Sequence, residues 1–356
     1  MLQKLLKGST SKSYLCKLQS NVNVWTGCNG IAMTAQKITL GLSEHRPEMV
    51  PLIVSSMQQH QAILLEEPPD DGFKRMLTGE LGVEDYLKEI DVEYPEFSRD
   101  MCYLLRKLRT AGKDILQVEP YLEILLGIHA YFAEGHGPDD LARDSIQYPV
   151  FLAERNATRM LISFYDISMS ASFEDTIEAV KRFARTDAAR FRLRDSLRAQ
   201  AVASLAQEFS SAYVEAGVIH YSLWKHLRRK MSTSIHLKLR FLADNANNFA
   251  SCRKDRYGPG DKLTLLYVFH PNFSETNREN LLAARSLIYS KLIAKNELTK
   301  NVNLWPHRRD ELNCIHMTHR LSLNDCRNLY PLVREGGTQQ AHQVVEAYLS
   351  EKRPSP

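Results

Sequence analysis

Three short apolar runs, each followed by an amphipathic segment, constrain this chain more than anything else in it. "KITLGL" (37–42) precedes residues 47–60, where Val50, Ile53, Val54 and Met57 share one face. "QAILLEEPPDD" (61–71) precedes 73–90, and "AYVEAG" (212–217) precedes 221–230. Runs of this length read as buried strands, and the segments after them as helices. Pro47 and Pro51 fit a helix in its first turn, where a missing N–H goes unnoticed. A further unit has a helix over 96–110, Gly112 as its stop and a strand over 114–119. Strands alternating with helices specify an α/β fold, a mostly parallel central sheet flanked by helices.

Residues 120–208 read as helical with a break near 136–148, so a large helical insertion (about 121–208) interrupts an α/β core spanning 33–272. "GPGDKLTLLYVFHP" (258–271) reads as a turn and one more buried strand. A helix over 276–296 and mixed helical elements to about 350 form a helical C-terminal region, 273–356, packed on the core. No period of 20–50 residues recurs, which excludes a solenoid.

The charge balance, 46 basic against 42 acidic residues for a net +4, is too even for wholesale nucleic-acid or membrane binding. No stretch approaches the roughly 18 apolar residues of a membrane span. Six scattered cysteines without a C-x-x-C point to free thiols in a reducing cytoplasm. Residues 1–32 carry lysines but no acidic residue, arginine or continuous apolar stretch, and are expected to be a disordered tail or an overlong start.

Four predicted strands end in polar groups. The first runs through Gly41 to His45, the second into Glu66-Glu67, the strand 212–217 through Gly217 to His220, and the last into His270. In parallel sheets ligands bind beyond the carboxyl ends of the strands. A glycine there lets the chain turn sharply, and a helix N-terminus beside each early histidine favours a neutral imidazole. Two neutral imidazoles and a carboxylate form a first shell for a divalent metal ion, with a position open for water. His45, Glu66, Glu67 and His220 are the candidate ligands. The commonplace alternative for each is a satisfied loop residue; the joint pattern argues for function. Alternation along a strand puts Glu66 and Glu67 on opposite faces without saying which faces the site.

"LGLSEHRPEMV", "AILLEEPPDD", "FLAERNATRM" and "YVEAGVIHYSLW" together resemble the superfamily that unites the TraB/TIKI proteins, the erythromycin esterase-like enzymes and the ChaN haem-iron proteins. The resemblance covers about residues 37–230. It implies an α/β fold with two Gly/His motifs, a carboxylate ending the next strand and an Arg-containing helix, mapping here to His45, Glu66 and/or Glu67, Arg155 with Asn156, and His220. The first motif is Gly-x-x-x-His, and Leu42 stands where the esterase-like branch has Glu; Glu44 is the nearby carboxylate. Members include metal-dependent proteases and an esterase. The expectation is a metal-assisted hydrolase acting on a small molecule or peptide, with His45, Glu66 and His220 binding the metal or activating water and His45 as the alternative general base. Arg155 suits an oxyanion, and Asn156 and Tyr221 supporting hydrogen bonds. The alternative on the same fold is a non-catalytic protein holding metal, haem or an anionic ligand.

"KRFARTDAARFRLRDSLRA" (181–199) places Arg190, Arg194 and Arg198 on one stripe. Such a stripe can meet RNA or a partner, pair with Asp187 and Asp195, or line the same cleft toward an anionic substrate. Pairing is the ordinary outcome, and no aromatic platform beyond Phe183 and Phe191 supports nucleic acid. "CIHMTHR" (314–320) offers Cys314, His316 and His319 without the second ligand pair of a zinc motif. P-loop, dinucleotide and G-x-S-x-G fingerprints are absent. The apolar face of 281–295 is expected to pack in the core, with a homodimer surface as the second explanation.

Overall fold

The computed structural model describes residues 36–90, 92–244, 256–298 and 305–352. The expectation for residues 1–32 falls outside them, as do Cys16, Cys28 and Cys252.

Five strands, β1 (Lys37–Ser43), β2 (Ala62–Leu65), β3 (Asp114–Gln117), β4 (Ser211–Gly217) and β5 (His236–Phe241), form one all-parallel sheet in the order β3-β2-β4-β1-β5. The chain leaves β1 toward β2 and β3, then returns to β4 and crosses to β5. Right-handed crossovers in opposite directions place their helices on opposite faces of a sheet. On one face Ile63, Leu65 and Tyr213 pack against α1 (Val50–Met57), α2 (Asp71–Thr78), α3 (Val83–Glu89) and α4 (Pro95–Thr110). On the other, Ile38, Leu40, Leu42, Leu64, Val214 and Ala216 meet residues of α7 (Phe173–Leu205) and α8 (Tyr221–Lys230). Fully buried side chains such as Leu40 and Leu64 each contribute about 1.5–3 kcal/mol of hydrophobic stabilisation.

Between β3 and β4 run α5 (Pro120–Ala133), α6 (Gln147–Ser170) and α7. Ser172 caps α7 by accepting from the Asp175 N–H at 3.1 Å. At about 1.5 Å per residue its 33 residues are long enough to serve two cores. Ala199 and Val202 face the sheet, whereas Ile177, Val180, Ala184 and Ala188 belong to a second apolar cluster. That cluster also takes in α9 (Pro259–Phe269), α10 (Thr276–Leu292), α11 (Pro306–His319), α12 (Leu323–Val333) and α13 (Thr338–Glu351).

Two expectations are corrected. Residues 258–271 contain no strand: Gly258 is the N-cap of α9, Pro259 its first residue, and Asp261 accepts from the Gly258 N–H at 3.2 Å. The run "KLTLLYVF" is apolar because α9 lies between α7 and α10, and a continuous apolar run does not separate a buried helix from a buried strand. His270 consequently ends a helix and is exposed, away from any strand end. Gly41 makes no turn either: it sits inside β1 opposite Glu215, where a Cβ would lie 1.9 Å from the Tyr213 hydroxyl oxygen. The missing side chain makes room for a tyrosine.

Candidate active site at the sheet edge

β1 and β4 end side by side, with Ser43 opposite Gly217, and Glu66 follows β2 by one residue on the other side of β4. Alternation along β4 turns Val214 and Ala216 toward α7 and α8, and Tyr213 and Glu215 toward the α1–α4 face. Glu215 therefore meets the loop after β1, where His45 Nε2 lies 2.8 Å from Glu215 Oε1. The other oxygen of Glu215 accepts from the Glu66 N–H at 3.1 Å. The His45 ring stacks on Phe97 with centroids 5.2 Å apart.

Glu66 is the hub. Its carboxylate faces His220 Nε2 at 2.7 Å, accepts from Arg194 Nη2 at 2.8 Å and the Gly217 N–H at 2.6 Å, and has Arg198 Nη1 at 3.5 Å. His220, the N-cap residue of α8, turns its Nδ1 to Asp195 Oδ1 at 2.5 Å, and Ser222 donates to the other Asp195 oxygen. Arg194 Nε donates to Glu119 at 3.1 Å. The wholly buried Arg198 donates to the carbonyls of Val118 and Glu215 at 2.9 and 2.5 Å.

Without a metal, the electrostatics favour protons on both imidazoles. Burial opposes a charge on His220, but Glu66 and Asp195 outweigh it and push its pKa up to about 9. Burial likewise works against a charged His45, and the charge and hydrogen bond of Glu215, backed by Glu66 and Glu67, push it up to about 9. For Glu66 burial favours the neutral acid, yet His220, Arg194 and Arg198 hold it well below the usual carboxylate range. Burial raises Glu119, against the pull of Arg194 and Arg198. Carboxylates at a few ångströms thus dominate any dipole at a helix start.

The spacing and chemistry of the donors fit a divalent ion. One donor atom each from His45, Glu66 and Glu215 lie within 4.8 Å of one another. The carboxylates of Glu66 and Glu119 pair with Arg194 and Arg198, while that of Glu215 faces His45 and that of Asp195 faces His220. Each imidazole thus has a carboxylate beside it, a charge that a proton on the ring or a divalent cation would balance.

His45, Glu66 and His220 thus converge, with Glu66 inside and Glu67 at the exposed rim, where it accepts from Gln117 at 3.1 Å. Several placements differ from expectation. His220 has a carboxylate at each ring nitrogen, so Glu215 replaces it in the metal-capable set. Arg155 is exposed over the Phe151 ring at 5.8 Å, and Asn156 accepts from Arg159 at 3.3 Å. Their helix contributes Glu154 instead, which accepts from Tyr121 at 2.9 Å and Arg190 at 3.1 Å. Arg190 also pairs with Asp187 at 2.6 Å. A nucleic-acid stripe needs exposed guanidinium groups; Arg190, Arg194 and Arg198 are turned inward onto carboxylates and carbonyls. The Tyr221 ring packs on Phe241 and Phe269, and Glu44 accepts from Arg308 at 3.4 Å.

Glu215 and Glu119 were missing from the expected set, and Asp195 and Arg198 were expected only as part of the arginine stripe and its pairing. A signal existed for Glu215: a carboxylate inside an otherwise apolar buried strand must find a partner. A recess of about 1120 Å³, lined by Phe164, Phe183, Leu263, Tyr289, Asp187 and Asp261 among others, includes none of the cluster's residues. Asp187 is within electrostatic reach of His220, and Asp261 of Glu44.

Among the described residues no helix is long and apolar enough to cross a membrane. No family model matches the chain, and no solved structure matches it. The chain is 28% identical over 288 residues to an uncharacterised protein of Archaeoglobus fulgidus, an alignment covering 80% of this chain and 94% of that one.

Proposed function

We propose that the protein is a hydrolase whose water is activated at His45, with Glu215 orienting the ring and a divalent metal assisting. The observation that carries this reading is the asymmetry of the His45 ring. Its Nε2 is held by a buried carboxylate, its side chain is 35% exposed, and no described residue hydrogen-bonds its Nδ1. With Nε2–H donating to Glu215, Nδ1 carries the lone pair that takes a proton from water, the logic of a base oriented by a third group. Glu66, fixed by Arg194, Arg198, His220 and the Gly217 N–H, keeps a negative charge behind the reaction site and stabilises the imidazolium that forms. Where His45 serves as a ligand instead of the base, His45, Glu66 and Glu215 would hold a divalent ion, which would supply a water of lowered pKa and a Lewis acid. The recess is of a size for a small molecule or short peptide.

A panel of ester, amide and peptide substrates tests the reading. His45→Ala and Glu215→Gln are expected to lower kcat at least 100-fold while the far-UV spectrum stays unchanged. With a base titrating at about 9, kcat/KM of the metal-free protein rises with pH through that value; added divalent metal moves the acidic limb downward. Turnover that survives both substitutions sinks the proposal. Ligand binding without turnover across the panel favours a binding protein on the same site.

A further inference from the structure

We infer that the C-terminal helices carry a zinc site separate from the sheet edge, built from Asp310 and Cys314 on α11 and His342 on α13. The sequence draws attention to Cys314 with His316 and His319, but the fold separates them. Cys314 is fully buried, His316 is exposed, and His319 Nε2 accepts from Lys262 at 2.9 Å. Asp310 and Cys314, one turn apart, share a face of α11, and α13 brings His342 against it: one donor atom from each lies within 4.8 Å of the other two. Tetrahedral zinc with bonds of about 2.0–2.3 Å spaces its ligands roughly 3.3–3.8 Å apart, so side-chain adjustments of about an ångström close the shell. Glu346, one turn beyond His342, has Oε1 3.7 Å from His342 Nδ1 and is the fourth candidate ligand.

Two backbone contacts orient these groups as outer-shell partners orient metal ligands. His342 Nε2 donates to the Leu292 carbonyl at 3.0 Å, which leaves Nδ1 as the nitrogen open to a metal. Asp310 Oδ2 accepts from the Ala294 N–H at 2.9 Å, while its Oδ1 is 4.0 Å from the Cys314 sulfur. Without metal, burial pushes the Cys314 thiol up to about 12; zinc would displace that proton and bind the thiolate. Lys295 is the cation within electrostatic reach of Asp310 and Cys314, but its ammonium donates to the Ser290 carbonyl. An N, S and O donor set suits zinc ahead of calcium or magnesium. Such a site would clamp α13 to α11.

Cobalt(II) is the probe, added to the full-length metal-free chain. The expected result is a thiolate-to-cobalt charge-transfer band in the near ultraviolet, reversed by zinc and lost in Cys314→Ser and in His342→Ala. Cys326→Ser retains it, and His45→Ala retains it while losing any metal held at the sheet edge. In the His45→Ala background, where the sheet-edge site is removed, zinc should raise the Tm, and the rise should vanish when His342→Ala is added. His342 is partly exposed, so that variant decides the matter if Cys314→Ser fails to fold. A wild type without the band, or a band that survives His342→Ala, overturns the site.

Discussion

The ends of β1 and β4 each present a histidine to the same hollow, and they hold it by different physics. At β4, His220 is 3% exposed with a carboxylate at each ring nitrogen. At β1, His45 is 35% exposed and bonded to one carboxylate, with its ring stacked on Phe97 above the packed Gly41–Tyr213 contact. The β4 end is held by two carboxylates around a buried ring, the β1 end by one carboxylate and by ring stacking. A histidine satisfied at both nitrogens positions its neighbours; one satisfied at a single nitrogen has a lone pair for chemistry. Similar motifs therefore produce one histidine closed by carboxylates at both nitrogens and one with an open nitrogen, to which the proposed role of base falls.

The largest effect that separates the ends is the loss of a buried charge. His220→Ala leaves Glu66 and Asp195 facing each other without their bridging cation, and breaking a buried pair costs about 3–5 kcal/mol. His45→Ala should cost less, because its ring is 35% exposed and water can take its place beside Glu215. Urea unfolding measures both, and equal losses would erase the distinction. Titration gives the sign. The folded-state value of about 9 for His220 lies above its ordinary 6.5, so its contribution is full below pH 6.5 and is lost as pH rises through 9. Glu66, held below its ordinary 4.5, contributes above that value and loses its contribution as pH falls through the lowered one. The urea midpoint of the metal-free protein is expected to fall between pH 6.5 and 9, and this decline should shrink in His220→Ala to the share that His45, raised to the same value, retains. A pH-independent midpoint in the wild type would break the account of a charge-held end.

How much of this was legible follows the same division. Packing leaves a periodic signature: the strands at 37, 62, 114 and 211 and the helix Tyr221–Lys230 were readable from apolar spacing and turn residues. The edge strand β5 was not, because its inner face consists of only half-buried side chains such as Leu237 and Leu239 in a charged surround. The helix α9 was misread because its apolar run lacks periodicity. Charge pairing leaves no such signature. Nothing local ties Asp195 to His220, 25 residues on, or Arg194 to Glu66, 128 residues away. The convergence of His45, Glu66 and His220 was inferable from strand ends; the second ring of Glu215, Asp195, Glu119 and Arg198 depends on tertiary contacts that span the helical insertion.

Smaller effects probe the packed end. Gly41→Ala puts a methyl group 1.9 Å from Tyr213 Oη and 2.4 Å from Cζ, an overpacking expected to cost about 1–3 kcal/mol. At Gly217 the nearest atoms to an added Cβ are 3.6 Å away, so Gly217→Ala should cost less. The smallest change is Tyr213→Phe. The Tyr213 hydroxyl is buried and hydrogen-bonds to none of the described residues, so removing it relieves an unsatisfied donor and should leave stability unchanged or raise it by up to about 1 kcal/mol. Because the ring carbon alone already lies too close to an alanine at 41, Gly41→Ala/Tyr213→Phe should remain destabilised. Recovery of wild-type stability in the double variant would mean that the hydroxyl, not the ring, sets the need for glycine. A loss of more than 1 kcal/mol in Tyr213→Phe alone would mean that the hydroxyl has a partner, and the β1 end would then be held by a second polar contact.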